Sequence, residues 1–175
     1  LLNDLSGTYL DLTFGRGSHS QEILNRLSNL GRLHAIDRDI EAVSYGNRNI
    51  NDDRFTITHA NYSEVRKIFP KHKFNGILLD LGTCSTHLDD QSRGFSFQRD
   101  GPLDMRMDRT KGLSAADFLN QSSEQEISEV IYKYGDEKAS RKIAKAIIEF
   151  RSHSLLKSTR DLSNIVESIL KRSGR

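Results

Sequence analysis

The sequence has little of what several classes of protein require. Cys84 is the only cysteine among 175 residues, so an intramolecular disulfide is excluded and a reducing compartment is expected. The six histidines are scattered and form no HxxxH pair, which predicts that no metal site is present. No apolar run reaches about 18 residues, and no basic-then-apolar leader opens the chain. Neither a membrane span nor a secretion signal is therefore expected.

The charge that is present is unevenly distributed. The formal net charge is +2, but the residues from Lys138 onward include ten basic and three acidic side chains. A basic segment on an otherwise acidic chain predicts a polyanionic partner. A solvated helix face is the alternative, and charge alone does not decide between the two.

The pattern of apolar residues predicts an α/β fold. Four buried strands are expected at residues 7–14, 32–36, 54–59 and 74–81. Between them lie a helical segment at residues 21–30, a second at residues 40–49 capped by Asp39, and a short helix capped by Ser63. Strands that alternate with helices favour right-handed crossovers and a parallel sheet. After residue 112 only helices are expected, beginning near Leu113, Ser123, Glu137 and either Ser158 or Thr159. Ser114 is the expected cap of the first, and Ser123 with Glu126 fits a capping box at the second.

Three features of the predicted sheet converge on one ligand site. Gly15 and Gly17 follow the first strand, Asp37 ends the second, and Asp80 ends the fourth. Ligands bind at the carboxyl ends of strands in such sheets, and an acid after the second strand suits ribose hydroxyls. Ser20 stands where a dinucleotide fingerprint needs a third glycine. A nucleoside cofactor without phosphates, such as S-adenosylmethionine, therefore fits better than the nicotinamide cofactor of an oxidoreductase.

The stretch GFSFQRDGPLDMRMD, residues 94–108, alternates apolar and charged side chains. Such a loop is either solvated or held by its own charge-assisted bonds. We predict an ordered functional loop, and a polar surface connection is the alternative.

Several strings carry a specific family likeness: LDLTFGRGSHSQEIL, GRLHAIDRD, FNGILLDLG, RGFSFQRDGPLDMRMD and GLSAADFLN. Through them the chain resembles the cytosine-N4 methyltransferases of small-subunit ribosomal RNA, a bacterial family with a mitochondrial branch. The resemblance implies a Rossmann-like class I methyltransferase sheet, of which the first four strands are present, with an all-helical inserted domain. It also implies an S-adenosylmethionine-binding domain at residues 1–100 and an RNA-recognition domain at residues 101–175.

Residue by residue, the resemblance implies a cofactor site but no catalytic residue. The residues at the positions of the family's cofactor contacts are Gly17, Ser18 and His19 at the turn, Asp37 at the ribose, Tyr62 (usually phenylalanine) at the adenine, Asp80 near the adenine or methionine, and His87 (usually glutamine). Ser18 departs from the family pattern GRGGH, and the sequence TCSTH replaces the usual VSSPQ. Ser85, Asp100, Asp104 and Arg106 are candidates for gripping the target base, although Asp104 and Arg106 could instead pair with each other.

The expected partner is small-subunit ribosomal RNA or the small ribosomal subunit, in the cytoplasm or, for an organellar protein, the mitochondrial matrix. No oligomeric state is favoured. Phosphate contacts are predicted for Lys138, Arg141, Lys142, Lys145, Arg151 and Arg160. Family members continue with further strands, so the chain is expected to be a fragment in which residues 77–81 form an exposed apolar edge. A catalytically silent module that binds RNA or the ribosome is the alternative function.

Overall fold

A parallel β-sheet with helices after its strands forms the N-terminal part of the chain, as the alternating pattern predicted. The computed structural model describes residues 2–173, and their contacts divide into two units on either side of the Cys84–Ser85 bond. The sequence predicted a division between residues 100 and 101. The functions assigned to the two parts stay predictions.

The sheet of the first unit has four parallel strands in the order β3-β2-β1-β4 among the described residues. They are β1 (Thr8–Asp11), β2 (Arg32–Asp37), β3 (Phe55–His59) and β4 (Gly76–Leu78). The helices are α1 (Ser18–Arg26), α2 (Ile40–Asn49) and α3 (Val65–Ile68), with a 3-10 turn at Tyr62–Glu64. Strands β1 and β4 are both shorter than predicted. Strand β1 ends early because the residues after Asp11 leave the sheet to build the turn before α1.

The helices α1 and α2 cover one face of this sheet. Side chains two residues apart on a strand share a face, and Leu33 and Ala35 of β2 are both buried. Leu33 packs with Tyr9 and with Ile23, Leu24 and Leu27 of α1. Ala35 packs with Phe14 and with Ala42 of α2. This packing fixes the start of each helix next to the end of its preceding strand.

The caps of these helices are partly as predicted. Asp39 caps α2, where its side chain accepts the Glu41 N–H at 2.9 Å, and this confirms the prediction. Two predictions were wrong. Helix α1 begins at Ser18 rather than Gln21, because Gly17 acts as its N-cap. Ser63 does not cap the short helix: it lies inside the 3-10 turn that leads into α3, and Asn61 caps that turn, since Asn61 accepts the Ser63 N–H and Glu64 reaches back to the Asn61 N–H.

Strand β4 lies at the edge of the sheet and exposes apolar side chains. Ile77, Leu79 and Leu81 are 53%, 47% and 66% exposed. These values confirm the predicted apolar edge.

The second unit is helical. Its helices are α4 (Ser85–Asp89), α5 (Ala115–Gln121), α6 (Glu124–Gly135), α7 (Ser140–Arg151) and α8 (Thr159–Ser173), with a 3-10 turn at Gln91–Arg93. Capping boxes open α5 and α6, as predicted for Ser114 and Ser123 at their N-caps. The core joins all the longer helices through Leu103, Leu119, Ile127, Ile143, Ala144, Ile147, Leu156 and Ile165. Across residues 2–173, no helix is long and apolar enough to cross a membrane.

Candidate functional site

The turn between β1 and α1 has a backbone that favours glycine at two positions. Gly15 and Gly17 both lie in the left-handed region, with φ of 56° and 79°. A Cβ at Gly17 would lie 2.6 Å from the Phe14 ring, whereas one at Gly15 would meet no heavy atom within 4 Å. Gly17 is therefore required by packing. The space next to Gly15 is open to a ligand.

The Asp37 carboxylate is tied directly to this turn. One oxygen accepts the Gly15 N–H at 2.8 Å, and the other accepts the Asp39 N–H at 2.8 Å. The carbonyl of Asp37 also accepts the N–H of Ala60, which follows β3. The ends of β1, β2 and β3 thus meet around one half-buried carboxylate, as the order of strands requires.

Asp80 is held at the same turn. Its backbone N–H donates to the Thr13 hydroxyl at 2.8 Å. Its side-chain oxygen lies 3.9 Å from Nδ1 of His19, and both side chains are more than half exposed. The structure therefore brings together Gly17, His19, Asp37 and Asp80, four of the residues that the sequence singled out. Ser18 is exposed between Gly17 and His19.

Asp11 is a buried acid in this region that sequence reasoning missed. It ends β1 with no exposed surface, and its carboxylate accepts the Ser20 hydroxyl at 2.7 Å and the Thr13 N–H at 3.0 Å. Burial raises the pKa of Asp11, while the bonds from Ser20 and Thr13 oppose that rise. The signal was available: Asp11 stands at the end of its strand as Asp37 does at the end of β2. Its apolar neighbours led us to treat it as part of the strand.

The first helical turn of α1 offers donors without a side-chain cap. Gly17 makes no side-chain capping bond, and no acid lies in the first turn of the helix. The free N–H groups at a helix start attract an anion such as a carboxylate. The turn therefore combines an anion-binding helix start with a carboxylate that accepts hydrogen bonds.

Comparison with known proteins places the chain in a family. The model of the MraW methylase family matches residues 1–175. The chain belongs to this family. It is 47% identical over 170 residues to the ribosomal RNA small subunit methyltransferase H of Vesicomyosocius okutanii, covering 95% of this chain and 55% of that protein. Its identity to the protein of the same name from Chromohalobacter salexigens is 49% over 172 residues, covering 96% and 52%. The chain thus spans about half the length of these relatives.

The remaining predicted cofactor residues of this MraW methylase family member lie apart from the turn in sequence. Tyr62 opens the 3-10 turn after β3 and is 40% exposed. His87 belongs to the second unit, where it is buried in α4 with its ring centroid 5.3 Å from that of Phe95. The roles of both toward a cofactor stay predictions.

A surface groove of about 700 Å³ lies beside the turn. Its walls include Arg16 of the turn and Ile40 and Glu41 of α2, but not Asp37. The Arg16 guanidinium lies over the Tyr45 ring at 5.0 Å. The groove therefore adjoins the glycine turn and does not contain the carboxylate.

The loop at residues 94–108 is held by its own bonds, as one reading of the sequence predicted. Asp104 accepts Nε and Nη2 of Arg106 at 2.9 and 2.7 Å, and this bond keeps the pKa of Asp104 below its usual value. Between the two, Met105 has a left-handed φ of 61°. Arg93 is buried and donates to the carbonyls of Arg106 and Met107. The structure favours the reading in which Asp104 and Arg106 pair with each other rather than grip a base.

Two of the predicted phosphate contacts are engaged within the protein. Arg151 donates through Nη1 to the carbonyls of Leu119 and Ser122, both at 2.7 Å, and so closes the end of α5. Arg160 lies 4.0 Å from Asp100. Arg151 is therefore a structural residue, and the other four basic residues are the better candidates.

Proposed function

We propose that the chain is part of an S-adenosylmethionine-dependent methyltransferase that modifies N4 of a cytidine in small-subunit ribosomal RNA. Membership of the MraW methylase family supports the reaction class. The names of the relatives support ribosomal RNA of the small subunit as the substrate. The observation that carries the proposal is the 2.8 Å bond from Gly15 to Asp37, because it holds the carboxylate for which we propose the ribose contact against an open glycine turn. The proposed compartment is the cytoplasm or the mitochondrial matrix.

The residues at the turn fit a nucleoside cofactor that has no phosphates. Each Asp37 oxygen accepts one backbone N–H. An ionised carboxylate has about four acceptor sites, so two remain for the hydroxyls of a ribose. The open space beside Gly15 admits the ligand, while the side chain of Ser20 points to Asp11 and not to the surface.

The other predicted residues would contact the methionine part and the adenine of the cofactor. The uncapped start of α1, at Ser18 and His19, would bind the carboxylate of the methionine part. Asp80 would accept bonds from its amine or from the adenine, and Tyr62 would lie against the adenine ring. The family resemblance also implies a cofactor contact for His87. Asp11 would position the turn through Ser20 without touching the ligand.

The chemistry follows from these positions. When bound, the cofactor supplies an electrophilic methyl group on a sulfonium. The cytosine amine is a weak nucleophile because its lone pair is delocalised into the ring. The protein therefore contributes mainly by positioning, and it needs the target base out of its stack. No residue is assigned as the catalytic base.

Calorimetry with S-adenosylmethionine tests the cofactor site. The full chain should give a binding heat that disappears in Asp37→Ala and persists in Asp53→Ala, a matched change at an exposed acid. Thermal melting of both variants separates lost binding from lost folding. Absence of heat in the unchanged protein would instead favour the silent RNA-binding module. Enhanced NADH fluorescence would favour an oxidoreductase.

The substrate is tested by transfer of a labelled methyl group to small ribosomal subunits. Digestion to nucleosides and mass spectrometry should place the label in N4-methylcytidine. Label in another nucleoside would contradict the proposed specificity. No transfer despite cofactor binding would show that this half-length chain lacks part of the catalytic apparatus.

A further inference from the structure

The end of the α6–α7 helix pair exposes two aromatic rings. Tyr132 and Tyr134 lie in the last turn of α6 and are 59% and 85% exposed. The short connection at residues 136–139 leads directly into α7. The two helices pack through Ile127 and Ile143, and the hydroxyls of Ser128 and Ser140 are 3.4 Å apart. The tyrosines therefore share one end of the pair with the start of α7.

Four cations follow these rings along the chain. Arg141, Lys142 and Lys145 lie in α7 at spacings that place them on one side of the helix, and Lys138 precedes them in the connection at residues 136–139. The opposite side of α7 is buried through Ile143, Ala144 and Ile147. All four cations are exposed.

These cations differ from those on several other helices. Arg26, Lys133 and Lys171 each form an ion pair with a glutamate four residues earlier. Within residues 2–173, the structure gives none of the four cations at α7 an ion pair with an acid. Around the start of α7 the described residues thus present four cations without an ion pair, and the connection that joins them to the two accessible rings also carries Asp136 and Glu137.

A second basic segment of the chain differs in its aromatic residues. Arg66, Lys67, Lys71 and Lys73 are exposed around α3. Phe69 and Phe74 pack edge to face with centroids 5.4 Å apart and also contact His34. This segment can attract a polyanion, but its phenylalanine rings pack on each other, and Tyr62, which is 40% exposed, is the ring predicted to lie against adenine.

We propose that the tyrosine–lysine surface, defined as Tyr132, Tyr134, Lys138, Arg141, Lys142 and Lys145, binds unpaired RNA. Its cations contact phosphates, and its tyrosine rings stack on bases whose faces are accessible only in a single strand. The inference rests on the proposed function and specifies the form of its RNA substrate. A surface that binds unpaired RNA also suits an enzyme whose target base must leave its stack.

Fluorescence anisotropy with a labelled single-stranded RNA of mixed sequence, and with the same RNA annealed to its complement, tests the surface in the full chain. Tyr134→Ala should weaken single-strand binding about tenfold, and Tyr134→Phe should restore it, because stacking on one aromatic ring contributes roughly that much. Duplex binding should change less than twofold. Equal loss for both probes, or no loss, would overturn the assignment of Tyr134.

The cations are tested by charge-matched variants. Combined Arg141→Gln, Lys142→Gln and Lys145→Gln should lower the slope of log K against log salt by about 2, since each phosphate contact on a single strand contributes about 0.7. The control is the triple variant Lys67→Gln, Lys71→Gln and Lys73→Gln, which removes the same charge around α3. It should keep most of the salt slope of the unchanged protein. Equal effects of the two triple variants, or equal loss of polyglutamate binding, would show general polyanion attraction and overturn the proposal.

The two proposals fail separately. Calorimetry with S-adenosylmethionine on Tyr134→Ala should match the unchanged protein. If no cofactor binds but RNA binding depends on Tyr134, the proposed RNA-binding surface is supported and the methyltransferase proposal is wrong. If the cofactor binds and Tyr134 has no effect, only the surface is wrong.

Discussion

The hydroxyl of Ser20 donates a 2.7 Å hydrogen bond to the buried carboxylate of Asp11, and so joins the first turns of α1 to the end of β1. Both residues are fully buried. The bond spans the glycine turn, which begins after Asp11 and ends before Ser20. The position of that turn therefore depends on an interior contact as well as on Asp37.

Removing this bond should destabilise the fold. Ser20→Ala leaves a buried carboxylate with one donor fewer, and we expect a loss of about 1–3 kcal/mol in the free energy of unfolding. Ser18→Ala, an exposed change in the same helical turn, should cost less than about 0.5 kcal/mol. Urea unfolding measures both. Equally small losses of unfolding free energy in the two variants would show that the hydrogen bond from Ser20 does not stabilise the fold.

Asp11 should also give the stability a distinctive pH dependence. Burial raises its pKa above the usual 3.8, so above about pH 4 the folded state holds a proton that the unfolded state releases. Its contribution is therefore present at low pH and is lost as pH rises through the folded pKa. Relative to the unchanged protein, Asp11→Asn should gain stability in urea titrations as pH rises from the usual pKa of an aspartate through the raised pKa of Asp11. A constant difference would contradict the raised pKa.

The two glycines of the turn should respond differently to alanine. Gly17→Ala meets both a left-handed φ of 79° and the Phe14 ring, so it should destabilise by more than about 1 kcal/mol. Gly15→Ala has a φ of 56° but open space around the new methyl. It should lose S-adenosylmethionine affinity beyond what its smaller change in stability explains. Thermal melts measure the loss of stability in both variants, and calorimetry measures the loss of cofactor affinity. Unchanged affinity in Gly15→Ala would show that the ligand does not bind next to Gly15.

The sequence predicted the features that local chemistry decides. Alternating apolar runs gave the parallel sheet, and Ser114 and Ser123 were recognised as caps because a cap and its partner lie three residues apart. Two errors were local, at the N-caps Gly17 and Asn61. The error at Arg151 involves distant partners, because it bonds to carbonyls 29 and 32 residues away, which no local pattern reveals. Asp11 was missed although its place at the end of β1 is visible in the sequence, because its burial follows from the packing of α1 on β1.

Arg151 illustrates how a basic residue can be tested for a structural role. Its Nη1 is shared by the carbonyls of Leu119 and Ser122 at the end of α5. Arg151→Gln should lower the free energy of unfolding by about 1–3 kcal/mol, because charged donors to the last carbonyls of a helix are lost. RNA affinity under folding conditions should stay within twofold. A larger loss of RNA binding without destabilisation would restore Arg151 as a phosphate contact.

Strand β4 makes a prediction about solubility. Ile77 is 53% exposed on β4, an edge strand that is paired with β1 on one side only. The backbone on its other side can therefore pair with a strand of another chain, and the exposed side chain adds apolar contact. Ile77→Lys should raise the concentration at which the protein begins to scatter light, since a charge on an edge strand opposes pairing. Leu30→Lys removes a side chain that is 74% exposed but lies outside the strands, and it serves as the matched control. If both changes improve solubility equally, general exposure of apolar surface drives association, and the sheet edge has no special part in it.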